Sequence, residues 1–352
     1  MLEKINIDSQ AVVLAVIGGS LIAFATTLHL MLFGRTTGIS SIFNSLLNCG
    51  HDSNFRWKFG FFCGLITGTY GIFMIFGHTL NIGNVVINLF DPHEIGQQGL
   101  STFGFALGGL LIGFGSKLGK GCAIEHAICD LPTLSLSSFI SVIILTGTGI
   151  ITATLRGYYP IMISDLSLGK EAIEQYKTIA DFLYVLLLIY FAYDLNVNSL
   201  LFREKLETLA CLFIGLVFGL GFSISGTSRR TQALDFLNLA NADGWNPTLL
   251  ITILTAIGVN VVTFNLILKQ KPMFAASFEI PNNLIDWKII VGPAIYGIGW
   301  GLTGLSTGSA MVNGLLLMKM LAYLPFMAAG QLLADWILPR KKTESNKEMK
   351  FD

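Results

Sequence analysis

Charge is what this chain has least of. Asp, Glu, Lys and Arg make up 12% of its 352 residues, while hydrophobic residues make up 53%. A soluble domain carries about 25% charge, so this chain cannot cover itself with a wettable surface, and it reads as an integral membrane protein. Neither sign of charge is in excess, with 22 basic against 22 acidic residues. That removes the basic face a nucleic-acid partner would need. Cysteine is also sparse. Cys49, Cys63, Cys122, Cys129 and Cys211 are odd in number and irregular in spacing, which excludes a disulfide framework. Four of the five sit in or beside apolar segments, where a free thiol usually behaves as a small hydrophobe. A cleavable signal peptide is missing: the apolar run after Lys4 continues past any small-residue cleavage site and reads as a first span. No Ser/His/Asp triad, Walker sequence or paired-carboxylate site stands out, so the chain is not read as an enzyme and no cofactor is implied.

What the chain has in place of charge is long apolar runs. A membrane span needs about 20 predominantly apolar residues. By that measure there are nine, at 11–33, 56–77, 99–118, 135–155, 178–195, 206–225, 248–268, 288–305 and 315–338. They show no alternation of period two, so helices are the default. The predicted fold is an all-α polytopic membrane protein.

Four connections are not ordinary loops. The run from Gly34 to Leu47, Lys120 to Leu131, Gly226 to Leu239, and Ser306 to Gly314 are Gly- and Ser/Thr-rich, half apolar and too short to span. Re-entrant half-helices fit them, because irregular backbone at membrane depth is tolerated only where protein or a water-filled cavity receives it. They follow spans 1, 3, 6 and 8. The chain then divides into a first membrane repeat (11–155), a linking span with its loops (156–205), a second repeat (206–338) and a charged tail (339–352). One odd span between two similar halves turns the second upside down, the inverted repeat of many secondary transporters. Cations gather on the side of Arg35, Arg56, Lys58, Lys117, Arg203, Lys269 and the C-terminal lysines. The positive-inside rule then puts the C-terminus on the cytoplasmic side, or the matrix side of an organellar inner membrane.

The most informative stretch begins at Gly113, where a glycine-dense helix runs through Gly121 into Cys122, Glu125, His126 and Cys129. It is partly repeated 184 residues later: Gly113 matches Gly297, Gly115 matches Gly299, Leu118 matches Leu302, and Cys122 falls on Ser306. A helix that breaks beside polar side chains, twice and in corresponding places, points to a transport site at mid-membrane. Spacings of i, i+3, i+4 and i+7 put Cys122, Glu125, His126 and Cys129 on one helical face. That face reads as a substrate waypoint, since ionisable groups inside a membrane segment are functional candidates by default. The alternative is that the thiols pack as apolar residues while Glu125 pairs with His126 or Lys120. A metal centre would need all four groups to converge from one face, which spans more than a tetrahedral site gathers, and no metal is assigned. A Glu125 carboxyl that titrates during transport would couple anion movement to protons. Arg35 and Arg229, with Arg230, sit in re-entrant segments, as anion attractors at a mouth of the path or as interface anchors.

These stretches resemble the YeeE/YedE family of sulfur-compound transporters. The likeness runs from about Gly18 to Gly314 and rests on four places. Gly34-Arg35-Thr36-Thr37-Gly38-Ile39-Ser40 is similar to the family's first Gly-Arg segment, and Gly121-Cys122-Ala123-Ile124-Glu125-His126 to its Gly-Cys-Thr-Ser-Gly-His motif. Phe218 to Gly226 with Trp245-Asn246-Pro247 resembles the start of its second half, and Gly297 to Ala310 its Gly-Phe-Cys-Pro-Gly-Pro segment. The resemblance implies a transporter of a sulfur-containing anion, thiosulfate first, with Cys122 as the central contact. His126 and Glu125 would tune it, Gly121 would open the break, and Ser306 would hold the pseudo-symmetric place. The chain departs from the family pattern at Glu125, which stands for glycine, and at Ser306, which stands for the second-half cysteine. The missing thiols admit an alternative: a non-transporting structural subunit of a larger membrane complex that retains the fold.

Overall fold

The computed structural model describes residues 9–47, 55–82, 85–92, 95–96, 99–159, 170–197, 202–239, 245–280 and 285–338. Cys49, half of the 157–176 loop (160–169) and the 339–352 tail lie outside them. Among the described residues nine long helices stand where the sequence has nine apolar runs. They are α1 (Ser9–Phe33), α3 (Phe55–Phe76), α4 (Thr102–Leu118), α5 (Leu136–Tyr158), α6 (Lys170–Val197), α7 (Phe202–Ile224), α9 (Thr248–Ile267), α10 (Lys288–Thr303) and α12 (Met320–Ile337). Between them lie the short helices α2 (Ile39–Leu47), α8 (Arg230–Leu237) and α11 (Thr307–Asn313), and a π-helical turn at Glu125–Asp130 followed by a 3-10 turn at Leu131–Thr133. All four segments expected to be re-entrant therefore hold short helical pieces.

Seven helices are long and apolar enough to cross a membrane, and α10 with α11 form an eighth candidate bent by 41° at the break between them. Helix α4, at 17 residues, is the shorter exception. The two exceptions hold corresponding places in the two halves. Both α4 and α10 are about 25 Å long, against a hydrocarbon core of about 30 Å. Each stops early for a local reason. Gly119 caps α4 and is followed by Lys120 in the left-handed region (φ 62°), while Gly304 ends α10 at φ 73°. The helices at 99–118 and 288–305 are accordingly shorter than their apolar runs, the one at 178–195 is longer, and the one at 315–338 starts only at Met320. One element is not helical. Thr79–Ile82 and Val85–Asn88 pair as an antiparallel hairpin, Thr79 opposite Asn88, which a search for apolar runs does not register.

The long helices pack in a pattern that survives exchange of the halves. Helix α3 packs on α7 and α1 on α9; α4 packs on α12 and α10 on α5. The two remaining large contacts, α1 with α7 and α4 with α10, join equivalent helices across the middle. Helix α6 has no counterpart and lies at the edge. It is tied by Tyr70 donating to Asp181 and Tyr176 donating to the Gly314 carbonyl, and it exposes Phe182, Leu186 and Ile189 as a lipid-facing row of side chains would be.

Without a hydrophobic drive between helices in lipid, close backbone approach has to supply the packing. Glycines do that here. A Cβ on Gly113 would stand 1.9 Å from the Met327 carbonyl, and one on Gly64 would stand 2.0 Å from that of Leu212. Neither backbone can yield, whereas a Cβ on Gly258 meets nothing within 4 Å. Gly113→Val is therefore expected to cost at least the ~1–3 kcal/mol of an overpacked core, lowering the melting temperature in detergent or abolishing monodisperse protein. Gly258→Ala should leave both unchanged. Equal behaviour of the two variants would count against backbone contact between α4 and α12 at Gly113.

Candidate functional site

The first break is built from Gly119 onwards. The Gly121 N–H reaches back to the Ser116 carbonyl at 2.9 Å, and the chain then enters the π-helical turn. Gly121 has no room for a side chain, because a Cβ there would meet the His126 ring at 2.8 Å. The imidazole lies against this backbone. Its Nε2 stands 3.2 Å from the Gly119 carbonyl, which can only accept, so Nε2 carries the hydrogen. Its Nδ1 stands 3.4 Å from Asp130 Oδ2, and both residues are buried.

Glu125 turns the other way, toward the first re-entrant segment. The Ser40 hydroxyl donates to its Oε2 at 2.7 Å, and the Cys122 N–H donates to the same oxygen at 3.4 Å. Its Oε1 lies so close to Gly38 that a Cβ there would stand 2.5 Å away. The Cys122 thiol is fully buried beside the backbone N–H groups of Ser40, Ile124 and Glu125. Cys129, also buried, donates its S–H to the Thr37 carbonyl at 3.4 Å. So the Cys122, Glu125 and Cys129 face does form, and it packs on residues 37–40.

Two expected pairings are replaced. Lys120 does not neutralise Glu125; its ammonium is 3.6 Å from Asp286. His126 faces Asp130 across one turn rather than Glu125. Among the described residues no group of three His, Cys, Asp or Glu side chains is arranged to hold a metal ion.

The second break is closed by its own hydroxyls. Ser306 caps α11, its Oγ accepting the Ser309 N–H at 3.2 Å while its N–H donates to Ser309 Oγ at 2.7 Å. The Thr307 N–H donates to the Tyr296 hydroxyl at 3.2 Å. The two breaks face each other. Between them is a cavity of about 40 Å³, lined from the first half by Ala123, Ile124, Ala127 and Ile128, and from the second by Thr227, Trp300, Ser306 and Ser309. Ser306 lies on this cavity, whereas Cys122, Glu125 and His126 sit behind the apolar side of their own segment.

The arginines lie further out. Arg35 is 3.2 Å from Glu207 and 3.8 Å from Glu279, stacks over Trp57 at 5.3 Å, and lines a cavity of about 460 Å³ with Arg203, Glu204 and Glu207. Arg229 donates to the Asn88 carbonyl at 3.0 Å. Arg230 is buried, donates to the Thr303 carbonyl that ends α10, and lies over Phe105 at 5.2 Å.

Several polar residues of this region escaped the sequence reading. Asp130 had a local signal, being four residues after His126. Ser40, Tyr296 and Asn260 had none. Asn260 is buried in α9 and donates to the Ile128 carbonyl at 2.7 Å and to Thr26 Oγ1 at 2.9 Å. It supplies from a distant helix the bond that the interrupted helix cannot make.

Residues 206–345 match a family described as "Family of unknown function (DUF6691)". A probable transporter of Xylella fastidiosa strain Temecula1 is 36% identical over 145 residues, covering 40% of this chain and 97% of the relative. A probable transporter of strain 9a5c is 37% identical over 132 residues, 37% of this chain and 90% of the relative. A second probable transporter of strain Temecula1 is 30% identical over 144 residues, 41% of this chain and 94% of the relative.

Asn260→Ala should leave the Ile128 carbonyl without its donor. The expected loss is about 1 kcal/mol, since bonds between membrane helices average somewhat less than that and buried orphans cost more. A detergent unfolding series that finds no loss would mean that another donor replaces Asn260.

Proposed function

The chain belongs to the family of these probable transporters, and on that premise we propose that it carries a small sulfur-containing anion, thiosulfate first, across a membrane. The observation that carries this reading is the meeting of two broken helices across one small cavity, with the buried Cys122 thiol behind the first of them. Broken helices beside polar groups are where transporters bind ions. A thiol among backbone N–H groups suits a soft sulfur anion, because both the S–H and the amides donate.

Cys122 is the central contact in this proposal, with Gly121 and His126 holding its turn open and in shape. Ser306 stands in the pseudo-symmetric place, on the cavity itself. Arg35 at one mouth and Arg229 at the other attract the anion. The halves 11–155 and 206–338 are the two repeats, and the packing pattern that survives their exchange supports that division. The C-terminus lies on the cytoplasmic side, on the charge bias of the loops.

A second reading, a structural subunit within a larger membrane complex, draws on one observation. The Ser306 hydroxyl is already engaged in its helix cap, and the Cys122 thiol is fully buried.

Uptake of radiolabelled thiosulfate into proteoliposomes separates the two. The transport reading expects uptake by the intact protein and a loss of at least about ten-fold in Cys122→Ala, the order of one charge-assisted hydrogen bond. Uptake undiminished in Cys122→Ala would move the path to hydroxyls and backbone. A folded intact protein that takes up neither thiosulfate nor related anions would leave the subunit reading.

A further inference from the structure

We propose that the charged cavity beside Arg35 is a binding site for a phospholipid whose headgroup carries a phosphate and a primary ammonium. The proposal does not depend on which solute the protein carries.

The chamber is built by backbone bonds. Residues 272–279, between α9 and α10, fold over the end of α1. The Met273 N–H donates to the Met31 carbonyl at 3.0 Å, the Phe274 N–H to that of Leu32 at 2.8 Å, and the Glu279 N–H to that of Gly34 at 2.7 Å. The first turns of α7 supply another wall, from which Arg203 donates to the Phe274 carbonyl. The space between them is about 460 Å³, within the ~300–1,000 Å³ of pockets that hold small ligands. It lies where α1 ends at Phe33 and α7 begins at Phe202, both of them candidate spans. The ends of spans are the level at which a bilayer presents its headgroups.

The charges of the chamber are mixed. Its lining holds two guanidinium groups, Arg35 and Arg203, and three carboxylates, Glu204, Glu207 and Glu279. Arg56, 3.2 Å from Glu204, brings the balance to three against three. A balanced chamber has no net charge to offer a simple anion or a simple cation, but it gives each end of a zwitterion a partner of opposite sign. A guanidinium matches a phosphate bidentately. The Arg203 bond to the Phe274 carbonyl uses one of that group's five N–H donors and leaves others for a phosphate. At the opposite sign, Glu279 stands 3.8 Å from Arg35 with its side chain 73% exposed, so its oxygens keep lone pairs for an ammonium N–H. A quaternary ammonium has no N–H to give them.

The apolar side of the chamber marks the occupant as a lipid. A recess of about 20 Å³ adjoins it, lined by Phe33, Leu206, Ala210 and Phe274 and sharing Arg203 and Glu207 with the chamber. From there Leu206, Leu209 and Phe213 follow at i, i+3 and i+7 down one exposed side of α7. An acyl chain laid along that row brings its headgroup to the chamber.

Native mass spectrometry of the full chain, delipidated in detergent, tests this with phosphatidylethanolamine, phosphatidylcholine and phosphatidylglycerol of identical acyl chains. The proposal expects phosphatidylethanolamine to bind at least ~3-fold more tightly than either of the others, the order of one exposed ion pair. Glu279→Gln should bring it down to the phosphatidylcholine level. Arg203→Gln should weaken both zwitterionic lipids by a similar factor. Lys269→Gln, which removes an exposed cation outside the chamber, should change neither. Arg203 and Glu279 are both exposed, so each variant is expected to stay folded and either one can decide. Arg35 is left intact because it also stands at the proposed mouth. Equal binding of the three lipids by the intact protein overturns the proposal, as does tightest binding of phosphatidylglycerol. A phosphatidylethanolamine preference that survives both variants overturns the site. Soluble phosphoethanolamine that displaces the lipid at equal concentration overturns the lipid as occupant.

Discussion

Every structural choice in this protein answers one constraint: a helix that breaks inside a bilayer must find partners for its freed backbone groups within the protein. Two long helices break here, α4 after Gly119 and α10 after Gly304, and much of the buried polar chemistry serves those breaks. Ser306 and Ser309 cap each other, and Tyr296 takes the next N–H. Asn313 donates to the Ser228 and Ser309 carbonyls, and Asn260 donates to that of Ile128. Arg156 and Arg230 donate to the last carbonyls of α10, at Leu302 and Thr303.

The breaks are tolerable only because the scaffold around them is rigid. Glycines let α3 meet α7 and α4 meet α12 at backbone contact, so the four helices behave as fixed walls. Between those walls lie the short segments, which carry Cys122, Cys129, Glu125 and the hydroxyls of Ser40, Ser306 and Ser309.

The charges are arranged accordingly. At one end Arg35 is balanced by Glu207 and Glu279 in an open cavity, and at the other Arg229 and Arg230 are bound to backbone carbonyls. Between them the polar groups are few and close-packed. Among them is the Glu125 carboxyl, held by the Ser40 hydroxyl and the Cys122 N–H.

The amino-acid order alone determined which segments lie in the membrane, where two helices stop, and that Cys122, Glu125 and His126 share one short stretch. It did so because these properties are local: an apolar run, a glycine and a spacing of three or four are visible within a window of about twenty residues. The tertiary structure decided the partners. Ser40 reaches Glu125 across 85 residues and Asn260 reaches Ile128 across 132, and nothing near either end signals the match. Lys120 lies close to Glu125 in the chain yet pairs with Asp286, because the left-handed turn at Lys120 sends its side chain outward. The hairpin at Thr79–Asn88 was missed for the opposite reason, being too short and too little apolar to stand out as a run. Which face of the 122–130 segment meets the cavity was likewise not legible. It depends on what packs behind the turn, and residues 37–40 claim the polar face first.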